Sequence, residues 1–212
     1  LLVNLKSSKF LSLDLETTSP NPVEADIVGI SFSYTIETGF YIPLLHKENV
    51  KQLDIEYVME KLKPILENEK IKKIGQNIKY EIIVLSKYDI NLLGVHFDTM
   101  IAAHFLDSSL QSYSLDNLSR KFLDYKMITY KEVTTSDKKS ILFSDVAIDT
   151  ATNYSCEDSD ITLRLFNLFN EKLKENKLLT HFNRHEVPFI KVLAEMESLG
   201  VKVDQNKLQR LG

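Results

Sequence analysis

The stretch KFLSLDLETTSP, residues 9–20, decides how the rest of the chain is interpreted. Its apolar residues alternate with polar ones, which predicts a β-strand, because successive side chains of a strand point to opposite faces. Leu11 and Leu13 would then share one face, and Asp14 and Glu16 the other. Two carboxylates so close together repel each other at neutral pH. A cation between them, or water around both, has to offset that repulsion.

Further apolar runs predict a sheet and the helices beside it. DIVGISFSYT and GFYIPLL indicate two more strands after the first, separated by turn-prone segments, which favours an antiparallel meander. LDIEYVMEKLKPILENEK has the 3.6-residue apolar period of an amphipathic helix. IKKIG predicts a short strand, and Asn77 is interpreted as the N-cap of the next helix. TTSDKKS, residues 134–140, indicates an exposed loop.

The composition limits the class of protein. The chain has 212 residues, of which 43% are hydrophobic and 26% charged, as is typical of a globular domain followed by part of a second one. The single cysteine, Cys156, excludes an internal disulfide and a cysteine-based zinc site. The net charge of -4 is not that of a basic nucleic-acid binder, although bound cations would change the local sign. No apolar run in the sequence is long enough to span a bilayer, so no membrane partner is expected.

Three later residues add to the acidic pair. Glu81 lies within NIKYE on a predicted helix, and Tyr154 and Asp158 lie within YSCED on a later one. The last two continue an apolar stripe with Ile161 and Leu165, at steps of four, three and four residues. Asp158 would therefore share the face that packs on the sheet, where a carboxylate is costly unless something neutralises it. If these acids meet at one sheet edge, they offer the oxygen ligands that Mg²⁺ prefers.

The segments DLET, GQNIKYE and YSCED resemble the three exonuclease motifs of the 3′–5′ proofreading domain of bacterial DNA polymerase I and its relatives. They stand in the family's order, and FDTM, SLDNL and GVKVD extend the resemblance over essentially the whole chain. Several motifs in the right order are a far stronger signal than an isolated acidic pair. The chain resembles the tyrosine subclass of the DEDD exonuclease superfamily. That resemblance implies an α/β, ribonuclease H-like fold, with a mixed five-stranded sheet flanked by helices.

The resemblance also implies a role for each residue of the site. Asp14 would bridge two divalent cations, Mg²⁺ or Mn²⁺, and Glu16 and Asp158 would complete the ligands of the first. Tyr154 would hydrogen-bond the attacking water. Glu81 occupies a position where the family has Asp, and it would hold the second cation. Glu is one methylene longer, which moves the carboxylate by roughly 1.5 Å, and a displacement of about 1 Å can lower a rate by ~10²-fold.

The implied reaction is hydrolysis at the 3′ end of single-stranded DNA, which releases nucleoside 5′-monophosphates during proofreading in replication and repair. Gln76 and Asn77 match the family's second motif and would contact the terminal nucleotide. Tyr130 stands near the place of an aromatic residue that stacks on a base, a contact that tolerates any sequence. Pro20 stands where the family often has a leucine that wedges against the terminal base, so the chain departs from the pattern there.

The resemblance further implies a domain organisation. Residues 1–184 would form the exonuclease domain, and residues 185–212 would begin a polymerase domain that is truncated here. The expected partners are a single-stranded DNA 3′ end and the polymerase domain of the full-length chain, in a monomeric protein. The expected location is the bacterial cytoplasm, at the nucleoid. Nothing in the sequence resembles the palm acids of a polymerase, so primer extension is not expected.

Other functions stay open at this point. A catalytically impaired domain, kept for architecture or for holding DNA beside a polymerase, is compatible with Glu81 in place of Asp. An exoribonuclease similar to RNase D would have the same fold, but the GVKVD tail resembles the polymerase junction instead. Asp14 and Glu16 alone could also form a solvated strand face. Asp98 is interpreted as a helix cap or a buried hydrogen-bond acceptor, and none of the histidines is assigned a role.

Overall fold

The computed structural model describes residues 1–136 and 138–210. The strands of the main sheet are β1 Phe10–Thr17, β2 Ile27–Ser33, β3 Phe40–Pro43, β4 Lys72–Gly75 and β5 Val95–Asp98. Across the sheet their order is β3-β2-β1-β4-β5. The strand β1 is antiparallel to β2 and parallel to β4, while β2 pairs antiparallel with β3 and β4 parallel with β5. The predicted mixed five-stranded sheet, with its antiparallel meander, is confirmed.

Helices flank the sheet on both faces. They are α1 Leu2–Ser7, α2 Ile55–Leu66, α3 Lys79–Ser86, α4 Thr99–Leu106, α5 Leu115–Leu123, α6 Tyr130–Val133, α7 Ile148–Glu175, α8 Leu179–His181, α9 Val187–Leu199 and α10 Gln205–Gln209. A 3₁₀ turn spans Phe143–Asp145 and a π-helical turn spans Phe182–Glu186. The longest helix, α7, has 28 residues and packs across β1, β2, β3 and β4. The expected α/β architecture is therefore confirmed.

The alternation of side chains along β1 divides the core. Leu11 and Leu13 are fully buried and pack in one cluster with Leu62 of α2. Burying a leucine side chain contributes roughly 1.5–3 kcal/mol, so this face fixes the register of β1 in the sheet. The acidic side chains of β1 consequently project toward α7, where Glu16 contacts Ser155.

Two local predictions are wrong. The segment 134–140 contains a short ribbon, because the backbone of β6 Thr135–Ser136 pairs antiparallel with that of β7 Lys139–Ser140; Asp137 lies outside the described residues. The N-cap position of α3 belongs to Ile78, whose apolar side chain offers no acceptor. Asn77 instead has a φ of 62°, a left-handed conformation that asparagine tolerates better than most residues.

Helices α8 and α9 pack on the same body as the sheet. Helix α9 contacts α3 and β5, and its Ile190 is buried in the core cluster that contains the leucines of β1. The predicted boundary between residues 184 and 185 falls inside the π-helical turn, so it stays a prediction. The predicted second segment also includes residues 211–212, which lie outside the described ranges. Within those ranges, no helix combines the length and the apolar character needed to cross a bilayer.

Candidate active site

The candidate site lies at the carboxyl end of β1, in the middle of the sheet. Asp14 and Glu16 pair across to Ser31 and Gly29 of β2, and the register shifts just after Glu16. Helix α7 packs over this end of β1. Because β4 is parallel to β1, the carboxyl ends of both strands lie at the same edge of the sheet, where the turn into α3 begins. Side chains from β1, α3 and α7 can therefore meet there.

Asp14, Glu16 and Asp158 form a cluster of three carboxylates. One oxygen of each lies within 4.8 Å of the others. Glu16 and Asp158 are buried, and Asp14 is partly buried. Carboxylate oxygens at such separations can share one divalent cation, and hard oxygen donors suit Mg²⁺ or Mn²⁺. The donor set present in the chain therefore fits a divalent cation, and it joins three of the four residues predicted as metal ligands.

The cluster is electrostatically unfavourable in the protein alone. Burial raises the pKa of Asp14 from 3.8 to about 6. Burial, with the charge of Asp14 added, raises the pKa of Glu16 and of Asp158 well above the usual range. Each carboxylate thus disfavours the ionisation of its neighbours, because little water reaches the group to screen the charges. A bound cation would reverse this balance.

Tyr154 precedes Asp158 by one helical turn and contacts it. The phenol lies beside the Asp158 carboxylate and opposes part of the rise in the pKa of that acid. Burial, followed by the negative charge of Asp158, raises the pKa of Tyr154. The ring centroid of Tyr154 lies 5.9 Å from that of Phe143 and 6.4 Å from that of Tyr130. The phenol therefore stays protonated and can donate a hydrogen bond at this site.

Glu81 lies beside the cluster without belonging to it. Its side chain is 3% exposed in the first turn of α3, and its Oε2 has no hydrogen-bond partner among the described residues. Burial and then the charge of Asp14 raise its pKa well above the usual value. Its carboxylate is not one of the three whose oxygens lie within 4.8 Å of one another. An unpartnered buried carboxylate oxygen is costly, so this atom is a candidate ligand for a second cation.

The predicted substrate residues differ in how free their side chains are. Gln76 accepts a hydrogen bond from Thr99 Oγ1 at 2.5 Å and donates one to the Tyr113 carbonyl at 2.8 Å. These bonds hold the amide of Gln76 in the turn before α3, so it supports the local structure. Tyr130 is 53% exposed at the start of α6, which leaves most of its ring accessible.

A recess of about 570 Å³ connects these residues. Its walls come from the end of β1, the turn before α3, and the segment that carries the ribbon and the 3₁₀ turn. Among the residues that line it are Asp14, Glu16, Gln76, Asn77, Glu81 and Tyr130. The predicted ligands and the predicted substrate residues thus face a common space large enough for a nucleotide. Asp158 and Tyr154 line an adjoining depression that also contacts Tyr130.

The sequence analysis missed residues that support the site. Ser155 donates a hydrogen bond to Glu16 Oε1 at 2.7 Å, and both residues are buried. The two residues are 139 positions apart in the sequence, so only the fold reveals the contact. His46 is buried and lies in the same region, bonded to Tyr41 at 2.7 Å. The local signal that could have pointed to Ser155 is its position between Tyr154 and the rest of the third motif.

The fold and the site together define a class of protein, the nucleases with a ribonuclease H-like sheet. A family model described as 3′–5′ exonuclease matches residues 1–174, and the chain belongs to this family. The family assignment expected from the sequence motifs is thereby confirmed.

Curated relatives support the same family. A DNA polymerase I from Borreliella burgdorferi is 39% identical, over 99% of this chain and 22% of the relative. A DNA polymerase I from Pseudomonas aeruginosa is 36% identical, over 98% of this chain and 23% of the relative. The chain therefore spans less than a quarter of the length of these curated relatives.

Solved structures confirm the fold. The POL domain of Pol1 from M. smegmatis, in complex with DNA primer-template and dNTP, has a TM-score of 0.77 and 20% identity, over 99% of this chain and 32% of that one. NrnC from Brucella melitensis, with bound Mg²⁺, has a TM-score of 0.71 and 16% identity, over 96% of this chain and 92% of that one. The catalytic core of RRP6 from Trypanosoma brucei has a TM-score of 0.65 and 17% identity, over 89% of this chain and 48% of that one. At these identities the likeness concerns the fold alone.

Proposed function

We propose that the chain is a metal-dependent 3′–5′ exonuclease that hydrolyses single-stranded DNA from its 3′ end and releases nucleoside 5′-monophosphates. The observation that carries the proposal is the cluster of Asp14, Glu16 and Asp158, whose carboxylate oxygens lie within 4.8 Å of one another at the edge of a nucleotide-sized recess. The family membership supplies the direction of cleavage. The DNA polymerase I relatives favour DNA as the substrate.

Two divalent cations, Mg²⁺ or Mn²⁺, complete the proposed site. Asp14, Glu16 and Asp158 would hold the first cation, and Asp14 with Glu81 would hold the second. When bound, such ions lower the pKa of an attacking water and stabilise the charge that develops on the phosphate and the leaving oxygen. The unpartnered Oε2 of Glu81 and the raised pKa values of all four carboxylates support this assignment.

The side chains of the recess have separate tasks in this proposal. Tyr154, whose phenol stays protonated, hydrogen-bonds the attacking water and fixes its direction of approach. Tyr130 offers an exposed ring on which a base can stack, which is worth ~1–3 kcal/mol per base. Asn77 and the turn that Gln76 supports border the space for the terminal nucleotide.

The position of Glu81 is also the reason to keep a second candidate function, a catalytically impaired domain. The longer side chain lies outside the three-carboxylate cluster, where a family-type aspartate would be expected to contribute. We expect the parent chain to be active, and the Glu81→Asp variant to change its rate by up to ~10²-fold, because the charge stays while the carboxylate moves. A silent parent that becomes active as Glu81→Asp would instead establish an impaired domain.

The proposal includes a larger protein. We infer that the chain works as the proofreading module of a DNA polymerase I, with a polymerase domain in the same full-length chain, at the bacterial nucleoid in the cytoplasm. The boundary near residue 184 belongs to this proposal. The support is that the polymerase relatives are matched over less than a quarter of their length. We expect the fragment to be monomeric, which light scattering after gel filtration would measure.

The test is degradation of a 5′-labelled single-stranded DNA oligonucleotide by the purified chain with Mg²⁺ or Mn²⁺. We expect a ladder that shortens from the 3′ end, and no ladder with Asp14→Ala. Glu171→Ala is the matched control, because this exposed acid lies on α7 away from the cluster, and it should cleave like the parent. An RNA oligonucleotide of the same sequence forms the second arm. Faster cleavage of RNA than of DNA would replace the proposal by the RNase D-like function.

A further inference from the structure

The Glu16 carboxylate is held from behind by a buried serine. Ser155 Oγ donates a hydrogen bond to Glu16 Oε1 at 2.7 Å, and the serine is 0% exposed. Hydrogen bonds to an ionised carboxylate are shorter and roughly twice as strong as those between neutral groups. Ser155 belongs to the same turn of α7 as Tyr154 and Asp158. The helix therefore supplies one residue that contacts Glu16 and two that form the site itself.

A tyrosine from the edge of the sheet reaches the same place. Tyr41 of β3 pairs with Ser31, which pairs in turn with Asp14, so their side chains lie on the same face of the sheet. A Cβ on Gly29 would lie 2.0 Å from Tyr41 Oη, so the phenol occupies the space that any other residue at position 29 would fill. Gly29 is the β2 partner of Glu16. Because position 29 is a glycine, the Tyr41 phenol can lie over the β2 residue that pairs with Glu16.

The phenol of Tyr41 is next to Ser155 and to the acids. Burial raises its pKa, and the charges of Glu16 and Asp14 add to the rise. On its other side, Tyr41 Oη lies 2.7 Å from His46 Nε2. The phenol therefore lies between the serine that contacts Glu16 and a histidine in the loop after β3.

His46 is fixed more firmly than a loop residue usually is. Its Nδ1 lies 2.9 Å from the Val146 carbonyl, which can only accept, so Nδ1 carries the proton and Nε2 accepts from Tyr41. Both backbone groups of His46 bond to the side chain of Gln52, at 2.9 and 2.7 Å. Burial also lowers the pKa of His46, which favours the neutral ring that this arrangement requires.

We propose that Ser155, Tyr41 and His46 are positioning residues that fix the Glu16 carboxylate in the orientation needed to bind a divalent cation. This inference rests on the proposed function, because it assumes that Glu16 is a metal ligand. Hydrogen-bonded partners of metal ligands orient the ligand, and their removal typically weakens metal affinity or activity by ~10–100-fold. The effect should fall with distance from Glu16, so Ser155 should matter more than Tyr41.

The experiment is a calorimetric titration of the chain with Mn²⁺ in the absence of nucleic acid. We expect Ser155→Ala to weaken Mn²⁺ binding by ~10-fold and Tyr41→Phe by a smaller factor. Ser159→Ala is the matched control, since this buried serine lies one turn further along α7 and bonds only locally, to the Cys156 carbonyl. The control should bind Mn²⁺ like the parent. Circular dichroism establishes that each variant is folded.

The outcomes separate this inference from the proposed function. If the parent binds no Mn²⁺, the proposed metal site itself is wrong. If the parent binds and both Ser155→Ala and Tyr41→Phe bind equally well, only the positioning role is wrong. If Ser155→Ala does not fold, Tyr41→Phe decides, and an affinity equal to that of the parent overturns the inference. If Ser159→Ala weakened Mn²⁺ binding as much as Ser155→Ala did, that result would also contradict the inference. The loss of packing alone would then explain both effects.

Discussion

The end of β5 and the carboxylate cluster both bury acidic side chains, but they surround them with different partners. Asp98, at the end of β5, is 1% exposed and accepts hydrogen bonds from the backbone N–H groups of Ile78 at 2.8 Å and of Ile101 at 3.0 Å. Burial raises its pKa, and the backbone donors oppose that rise. Asp14 and Asp158, in the cluster, instead face other carboxylates.

The difference shows that the partner of a buried acid tells more about function than burial does. Asp98 caps α4 and also ties down the turn before α3, so its charge is used within the fold. This is the cap and buried acceptor expected from the sequence. Among the described residues the cluster has the Ser155 hydroxyl as a donor to Glu16 but no such set of backbone donors, so its charges are available to an ion that comes from solution. Substituting the same residue type in both regions should therefore give opposite results.

The largest effect is expected for Asp158→Asn. The substitution keeps the size of the side chain but removes a charge from the cluster, so cleavage of single-stranded DNA should fall by ~10³-fold or more, because the site can no longer hold its cation well. The free energy of unfolding of the metal-free chain should stay equal or increase, since a repulsion is relieved. Rates from the labelled-oligonucleotide assay and urea unfolding would measure both. A variant that is both inactive and strongly destabilised would contradict the comparison.

The next effect is expected for Asp98→Asn, which is the same change in the other region. Hydrogen bonds to a charged acceptor contribute ~1.5–3 kcal/mol, so the free energy of unfolding should fall by about 3 kcal/mol. The folded fraction should keep its cleavage rate within ~10-fold, because the cluster is intact. Asp54→Asn is the control, since this exposed residue caps α2 and asparagine caps nearly as well. If Asp54→Asn destabilised the chain as much as Asp98→Asn did, Asp98 would contribute no more to stability than an exposed helix cap does.

A smaller effect is expected from pH in the metal-free chain. The folded pKa of Asp14 is about 6 against an ordinary value of 3.8, so the folded chain binds more protons than the unfolded one between these values. The contribution of this carboxyl to stability is then greatest below about pH 4 and is lost as the pH rises through about 6; the loss is less than about 3 kcal/mol, because Asp14 is only partly buried and water screens part of the charge. Urea unfolding at several pH values with a chelator would measure the fall, and Mg²⁺ should reverse it at pH 7. A stability that rises with pH over this range would contradict the comparison.

The smallest effect is expected for Tyr80→Phe, between the two regions. The Tyr80 hydroxyl bonds to Thr17 Oγ1 and to the Ser19 carbonyl, both at 2.5 Å, and so joins α3 to the end of β1. Removing the hydroxyl should lower the free energy of unfolding by about 1 kcal/mol, the usual value for a neutral hydrogen bond. Cleavage should change little. Thermal unfolding would measure the loss, and Tyr57→Phe, on the exposed side of α2, provides the control.

The local periodicity of the sequence predicts which acidic residues of the cluster share a face. Alternation along β1 predicts that Asp14 and Glu16 share a face, and the four-residue step predicts that Tyr154 and Asp158 do. The mixed sheet also follows, because antiparallel strands come first and helix-connected strands after. These predictions depend only on neighbours in the sequence, and the structure confirms the sheet.

The supporting contacts could not be predicted in this way. The bond from Ser155 to Glu16 and the path through Tyr41 to His46 join residues that are distant in sequence, and nothing in their local patterns specifies the pairing. The side-chain bonds of Gln76 likewise depend on where α4 and the loop before α5 pack. Such contacts are consequences of the tertiary fold, so the periodicity of the sequence does not predict them.

The most direct test of the central claim, that the clustered carboxylates serve a divalent cation, is calorimetric titration of the chain with Mn²⁺ at pH 7, beside Asp158→Asn and Asp98→Asn. We predict saturable binding by the parent and by Asp98→Asn, and strongly weakened binding by Asp158→Asn. Absence of binding in the parent, or equal binding by the parent and Asp158→Asn, would contradict the claim.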